Sequence, residues 1–527
     1  MKPYIQPFER ELALRELAKF AGASPETVTR TGNDYYEVTC SVHESVLVDR
    51  LAYWEIVQGT AAMWTIQVRR EATASVVRNG IRPADLLRVL PFRGESIPVP
   101  SRRSLRYGPH DIHDYRGKFF PQLVRALLNL SDLESEGTVL DPMCGSGTTL
   151  VEANLSGYAA IGVDLNPLSV VISRTKCALL RANPEGLVRQ YEALRDALMD
   201  RPVLRIPLAC SWLEKLTQQD QYYLARWFAP NILLELDRIA TLIDQMEASP
   251  ARDLCWVCLS DILRTVSWQE TDDLRIRRKD MLETGTDVVA TFLKQLGNSV
   301  RHVVAFLLEE GGVRAPRFKV IGGDAASVLD DAKVLFKRVD AVITSPPYAT
   351  ALPYIDTDRL SLSFLNLLPR NLHRKLEAGM IGNREVTRRQ RDALWEEYLR
   401  SKSLLPPETV ALIDRVAEAY GGNDAGFRRR NLPALLAKYF LDMRVILLKL
   451  SHVTRSEGHV FLVVGNNHTV AQGTRIEIGT ATHLASIGEA MGLRLVELIP
   501  MDMLTPRDIF KRNAVRSESV VHFQARS

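Results

Sequence analysis

The chain has 527 residues, too many for one small core, which calls for two or three domains or one domain carrying large insertions. Its 46% hydrophobic and 25% charged content is that of a soluble globular protein and excludes a disordered or fibrous one. A net charge of +4 leaves any nucleic-acid surface to local basic clusters, and six cysteines in so long a chain exclude a disulfide framework.

Cysteine usage and the absence of an apolar leader after Met1-Lys2-Pro3-Tyr4-Ile5 lead to the expectation of a cytoplasmic protein. No apolar run is long enough to span a membrane. Cys255 and Cys258 form a CxxC, but Leu254, Trp256, Val257 and Leu259 around them read as a buried helix. No second Cys or His pair completes a zinc site, so core thiols and no metal are expected.

In chain order, residues 1–95 read as a small α/β module. Phe8 to Ala18 has helical periodicity, Asp34 to Val42 reads as a strand, and Val46 to Val57 as a second helix. This β-α-β-α order resembles the ferredoxin-like segment ahead of methyltransferase domains in some tRNA-modifying enzymes; a packing or dimerisation module fits the same residues. A basic, helix-poor linker follows, with Pro98, Pro100, Arg102, Arg103 and Arg106. His113 to Leu123 then holds Lys118 and Phe119 ahead of Pro121, which suits the first turn of a helix through Leu123, Val124, Leu127 and Leu128.

Thr138-Val139-Leu140 predicts a short strand, and Asp141-Pro142-Met143-Cys144-Gly145-Ser146-Gly147-Thr148-Thr149 a loop opening a helix. Gly145 and Gly147 let the backbone turn sharply and a ligand approach it, while the helix start offers unpaired N–H groups. Ala159 to Asp164 gives a second strand ending in an acid, about 20 residues on, where a carboxylate can accept from both ribose hydroxyls. Residues 179–315 are largely helical, too long for a connection within a sheet, and so read as an inserted subdomain. In it, Arg275, Arg277, Arg278 and Lys279 lie near Trp268, a combination suited to phosphate contacts and base stacking or to a solvated basic face.

Lys319 to Asp324 predicts a third strand ending in an acid. Val339 to Ile343 is an apolar, β-branched run that reads as a buried parallel strand, and Thr344-Ser345-Pro346-Pro347-Tyr348 stops it abruptly because neither proline can donate to the sheet. A second insertion, 355–435, carries Arg428, Arg429 and Arg430. Gly458 to Asn466 restores a buried strand, and Leu493 to Ile499 with Glu518 to Phe523 read as a closing antiparallel pair.

Ser345-Pro346-Pro347-Tyr348 after its strand, together with the Asp141–Thr149 loop and Asp164, resembles the S-adenosylmethionine-dependent amino-methyltransferases that methylate exocyclic amines of DNA bases. The resemblance implies an α/β, class I Rossmann-like methyltransferase fold, with its core at 96–178, 316–354 and 436–527, split by helical insertions at 179–315 and 355–435. It implies cofactor contacts from Lys118, Phe119, Asp141, Pro142, Cys144, Gly145, Ser146, Gly147, Thr148, Thr149, Asp164 and Asp324, the last near the adenine amine. Ser345, Pro346, Pro347 and Tyr348 are the implied catalytic residues, and Ser345 in first position resembles the cytosine-N4 enzymes more than the adenine-N6 ones. DNA is the implied partner, in a setting such as restriction–modification. Met143 stands where the family usually has Phe, and the cofactor motif precedes the catalytic one, a circular permutation relative to many such enzymes. An RNA amine methyltransferase acting on tRNA guanine and a non-catalytic nucleic-acid-binding protein are the alternatives.

Overall fold

Apolar β-branched runs alternating with helix-forming stretches dictate a mostly parallel sheet, and the computed structural model contains one of seven strands. It describes all residues except 23, 79, 93–96, 99–105, 116, 118–119, 201–210, 271–276, 280–285, 313–315, 332–337, 350–353, 385, 421–425, 472–473, 503–516 and 527. Two short antiparallel hairpins come first, β1 (Thr29–Gly32) with β2 (Tyr35–Glu37) and β3 (Ile56–Gln58) with β4 (Ala62–Trp64). The central sheet follows as β5 (Thr138–Asp141), β6 (Ala159–Asp164), β7 (Phe318–Gly322), β8 (Val339–Thr344) and β9 (Thr454–Gly465). A hairpin of β10 (Asn467–Ala471) and β11 (Thr474–Ile478) stands apart, and β12 (Leu493–Asp502) and β13 (Ser517–Ala525) complete the sheet.

In space the order is β12-β13-β9-β8-β5-β6-β7. The strands β7, β6, β5, β8 and β9 are mutually parallel, and β13 runs antiparallel to both β9 and β12. The order reverses between β5 and β8, so their carboxyl ends open a crevice at a topological switch point.

The helices start where the sequence places caps. Asn166, Asn183, Ser249 and Asp287 each accept a backbone N–H of the first turn, and proline follows the cap in the helices Pro167–Leu179, Pro184–Met199 and Pro250–Leu263. Helices Gln218–Ala225, Pro230–Gln245 and Val288–Glu310 join the last two of these in the first inserted stretch. Cys255 and Cys258 are buried in Pro250–Leu263. The second stretch holds helices Tyr354–Phe364, His373–Gly379, Arg388–Ser401 and Pro407–Tyr420. The expected boundary at 435 falls inside a continuous 27-residue helix, Phe427–Val453, whose Leu436, Tyr439, Phe440, Met443, Ile446, Leu447 and Leu450 are buried.

The N-terminal stretch departs from the expected β-α-β-α order. The strand expected over Asp34–Val42 is only Tyr35–Glu37, paired locally with β1, and the helix expected from Val46 to Val57 stops at Arg50. Its end is set by the buried Glu16 carboxylate, which accepts the N–H groups of Ala52 and Tyr53 at 3.1 Å and takes that backbone out of a helix. Burial pushes the Glu16 pKa up to about 7. Phe8, Leu12, Leu17 and Trp54 belong to the same buried cluster as Leu123, Leu127 and Leu150 beside the sheet and Leu236 and Val300 of the first inserted stretch. Arg15 also pairs with Glu497 of β12 at 2.5 Å.

Candidate active site

Strand β5 is wholly buried and ends at Asp141, whose side chain is buried. The loop after it is held by its own backbone: Cys144 N–H donates to Val163 O at 2.9 Å, and Gly147 N–H to Cys144 O at 2.8 Å. Gly145 and Gly147 take φ of +48° and +80°, the left-handed region that glycine enters without strain. A Cβ at Gly147 would lie 2.9 Å from the Ser173 backbone. Replacing Gly147 with alanine therefore lowers stability by about 2–5 kcal/mol, the sum of a left-handed penalty and an overpacking penalty. Urea denaturation measures this, and an unchanged midpoint would contradict the tight approach.

At the end of β6, Asp164 accepts Gly145 N–H through Oδ2 and Asn166 N–H through Oδ1, each at 2.8 Å. Burial raises the carboxyls of both Asp164 and Asp141 to about 6, against the lowering effect of their hydrogen bonds. Helix Thr148–Leu155 starts at Gly147, whose cap position makes no side-chain hydrogen bond.

An open cleft of about 670 Å³ lies over these residues, lined by Pro142, Met143, Gly145, Asp164, Asp324 and, from the carboxyl end of β8, Ser345 and Pro347. Pro346 is buried, and the half-buried Tyr348 donates its hydroxyl to Glu518 Oε1 at 2.6 Å. Burial raises the Glu518 carboxyl above its ordinary range, with the Tyr348 bond opposing. Asp324 lines the cleft while its Oδ2 caps helix Ala325–Val328 by accepting Ser327 N–H at 3.0 Å.

Not every expected cofactor residue faces the cleft. The side chains of Asp141, Cys144, Ser146, Thr148 and Thr149 are buried beneath it, because the loop folds back between β5 and helix Pro167–Leu179. Thr149 Oγ1 donates to Ile343 O of β8 at 3.3 Å, and burial pushes the Cys144 thiol well up. Lys118 and Phe119 lie outside the described residues, although Tyr115 and Gly117 just before them line the cleft. Arg275 is likewise outside them; Arg277 and Arg278 are exposed, and the Arg278 guanidinium stacks 4.4 Å from the Trp268 ring centre. Arg429 and Arg430 are exposed on the first turn of helix Phe427–Val453, where Arg428 also falls.

Several site residues carry no local sequence signal. Tyr115 bonds Ser169 Oγ at 2.9 Å and packs against Gly145, and Gly379, Met380 and Ile381 wall the cleft from the second inserted stretch. Gly382, at φ +74°, passes so close that a Cβ there would lie 2.9 Å from Tyr348 O. Asn467 Nδ2 donates to Ala349 O at 3.1 Å and steadies the turn from behind.

The strand order, the lone antiparallel strand at the far side and the glycine loop at the switch point define a Rossmann-like methyltransferase fold. The family described as RMKL-like, methyltransferase domain, matches residues 113–185, which span the loop and Asp164. The chain is 26% identical over 268 residues to the Type II methyltransferase M.MvaI of Kocuria varians, covering 49% of this chain and 58% of that protein. It is 22% identical over 322 residues to the Type II methyltransferase M.BsoBI of Geobacillus stearothermophilus, covering 56% and 60%. Over 52 residues, 10% of this chain and 16% of the relative, it is 40% identical to the tRNA (guanine(10)-N2)-dimethyltransferase of Methanothermobacter thermautotrophicus. The matched regions thus span about 60% of the length of the two Type II relatives. The matched family and these relatives support an amino-methyltransferase.

Such folds generally use S-adenosylmethionine, and the residues here fit it. Gly145, with no side chain, brings its backbone to the cleft wall. The Asp164 carboxylate keeps acceptor capacity beyond its backbone bonds.

Proposed function

We propose that the chain transfers a methyl group from S-adenosylmethionine to the exocyclic amine of a base in DNA, with cytosine N4 as the acceptor. The observation that carries this reading is that Ser345 and Pro347 line the same cleft as Gly145 and Asp164. When bound, the cofactor supplies an electrophilic methyl on sulfur; Asp164 would hold its ribose and the backbone from Gly145 onward would lie against it. An exocyclic amine is a poor nucleophile because its lone pair is delocalised into the ring. Ser345 Oγ and the Pro346 carbonyl accept its two N–H hydrogens and favour a pyramidal nitrogen whose lone pair points outward. Tyr348, its ring fixed through the hydroxyl bond to Glu518, stacks on the base and faces the positive charge that grows on nitrogen. Positioning and fixed dipoles in the cleft supply the acceleration. In a duplex the base must first leave the stack.

The basic residues Arg277, Arg278 and Lys279 beside Trp268, with Arg429 and Arg430, are the proposed nucleic-acid contacts, and the names of the Type II relatives support a restriction–modification setting. Ser345 at the head of the motif supports cytosine over adenine N6. The short match to a tRNA guanine-N2 enzyme favours an RNA amine as the second reading.

Mass spectrometry of nucleosides after incubation of DNA with the protein and isotope-labelled cofactor is expected to place label in N4-methylcytosine. Label only in N6-methyladenine overturns the base, label only in RNA overturns the polymer, and no label in either overturns the enzymatic reading.

A further inference from the structure

On helix Tyr354–Phe364, the Asp358 carboxylate accepts Nδ2 of the cleft-lining Asn166 at 2.7 Å. The next residue, Arg359, is 8% exposed, yet among the described residues its Nε and Nη2 have no hydrogen-bond partner. Nη1 alone meets a carboxylate, that of Asp356 at 3.6 Å. The Arg359 guanidinium lies 4.1 Å from the Trp227 ring centre and 6.0 Å from that of Tyr223. Arg370 places a second guanidinium 4.8 Å from the same Tyr223 ring. The Tyr223 hydroxyl is itself buried and, among the described residues, without a hydrogen-bond partner. Tyr222, 70% exposed, and the exposed Arg226 border the cluster from helix Gln218–Ala225 onward.

Stacking on aromatic faces orients a guanidinium but satisfies none of its N–H donors, and a buried charged donor left unsatisfied is costly. Burial pulls the Arg359 guanidinium below its ordinary pKa, and the neighbouring Arg370 adds to this. An anion with several acceptor oxygens relieves both effects, and a phosphodiester matches the guanidinium fork and the phenol donor. The cluster also joins the two inserted stretches, since Tyr223 and Trp227 come from the first and Arg359 and Arg370 from the second. The helix that carries Arg359 is tied through Asp358 to Asn166, which lines the cleft.

We infer that Arg359, Arg370 and Tyr223, over the Trp227 face, form a binding site for a backbone phosphodiester of the nucleic-acid strand that presents the acceptor base. This rests on the methyl-transfer reading above and adds a contact outside the basic clusters legible in the sequence. Binding of the full chain to a DNA duplex and to a stem–loop RNA, followed by fluorescence anisotropy across a salt series, tests it. Arg359→Gln and Arg370→Gln are each expected to weaken binding of the methylated polymer about fivefold at 0.15 M salt and to flatten the log–log salt slope by about 0.9. Arg359→Lys is expected to restore the slope, because it restores the charge, which a packing role would not do. Cofactor affinity and the urea midpoint of Arg370→Gln, whose side chain is half-exposed, are expected to match wild type, so this variant decides the matter should Arg359→Gln fold poorly.

Wild-type slope and affinity in both glutamine variants, with wild-type methyl transfer intact, overturn the site and leave the methyl-transfer reading standing. A wild-type chain that binds no nucleic acid overturns both. Inorganic phosphate that raises the urea midpoint of wild type but not of Arg359→Gln, with the DNA slope unchanged in the variants, assigns the cluster to a free anion and overturns the phosphodiester.

Discussion

Replacing Tyr348 with alanine is expected to lower methyl transfer at limiting nucleic acid by about 5- to 150-fold, the effect of losing one base–aromatic stack worth roughly 1–3 kcal/mol. Tyr348→Phe separates the ring from the hydroxyl. It keeps the stacking face and removes the 2.6 Å bond to Glu518, so most of the rate should survive. The same substitution changes the pH dependence of stability. The Glu518 carboxyl is already raised by burial, and the Tyr348 bond is what opposes the rise. A carboxyl raised on folding contributes its full stability below its unfolded pKa and loses it as pH climbs through the folded value. Without the bond the folded value rises further, so Tyr348→Phe costs more stability at pH 8 than at pH 4. Single-turnover rates and urea denaturation at the two pH values check both parts. Full activity in Tyr348→Ala would remove the ring from the mechanism.

Asp164→Ala is expected to weaken cofactor binding by about 2–4 kcal/mol, roughly 30- to 900-fold, because two charge-assisted hydrogen bonds to the ribose disappear. The acid also supports the loop itself, through Gly145 N–H and Asn166 N–H, so part of this cost is lost preorganisation. With its pKa pushed up to about 6, Asp164 becomes protonated in the mildly acidic range. Its charged form is the acceptor, so wild-type affinity falls as pH drops through about 6, and the variant shows a shallower dependence by the one proton that Asp164 takes up. Isothermal titration calorimetry at pH 7.5 and 5.5 measures affinity and proton uptake together. Equal affinity of variant and wild type at pH 7.5 would show that the ribose is held elsewhere.

The parts of the site that could be read from the chain alone are those whose physics is local. A buried strand, two glycines, a helix start and a second strand ending in an acid all fall between Thr138 and Asp164, and the structure assembles them as that order requires. The run Val339 to Ile343 stopped by two prolines is equally local, since the missing N–H groups end the strand whatever surrounds it. Periodicity in these stretches reports which side of an element is buried, but says nothing of what it is buried against. The partner of Tyr348 is Glu518 from β13, its close neighbour is Gly382 from the second inserted stretch, and the turn is braced by Asn467 after β9. Each pairing is made only when strands distant in the chain are brought into register. The helix expected from Val46 to Val57 failed for the same reason, because Glu16, on another helix, claims the N–H groups of Ala52 and Tyr53. Likewise Thr149 and Cys144, read as ligand residues from their place in the motif, are turned inward by packing against β8 and helix Pro167–Leu179. Local sequence determines backbone shape and the end of each element, since those depend on dihedrals and on hydrogen bonds between near neighbours. Which side chains reach the ligand is decided by long-range packing, where one burial face has many suitors and only the assembled core selects among them.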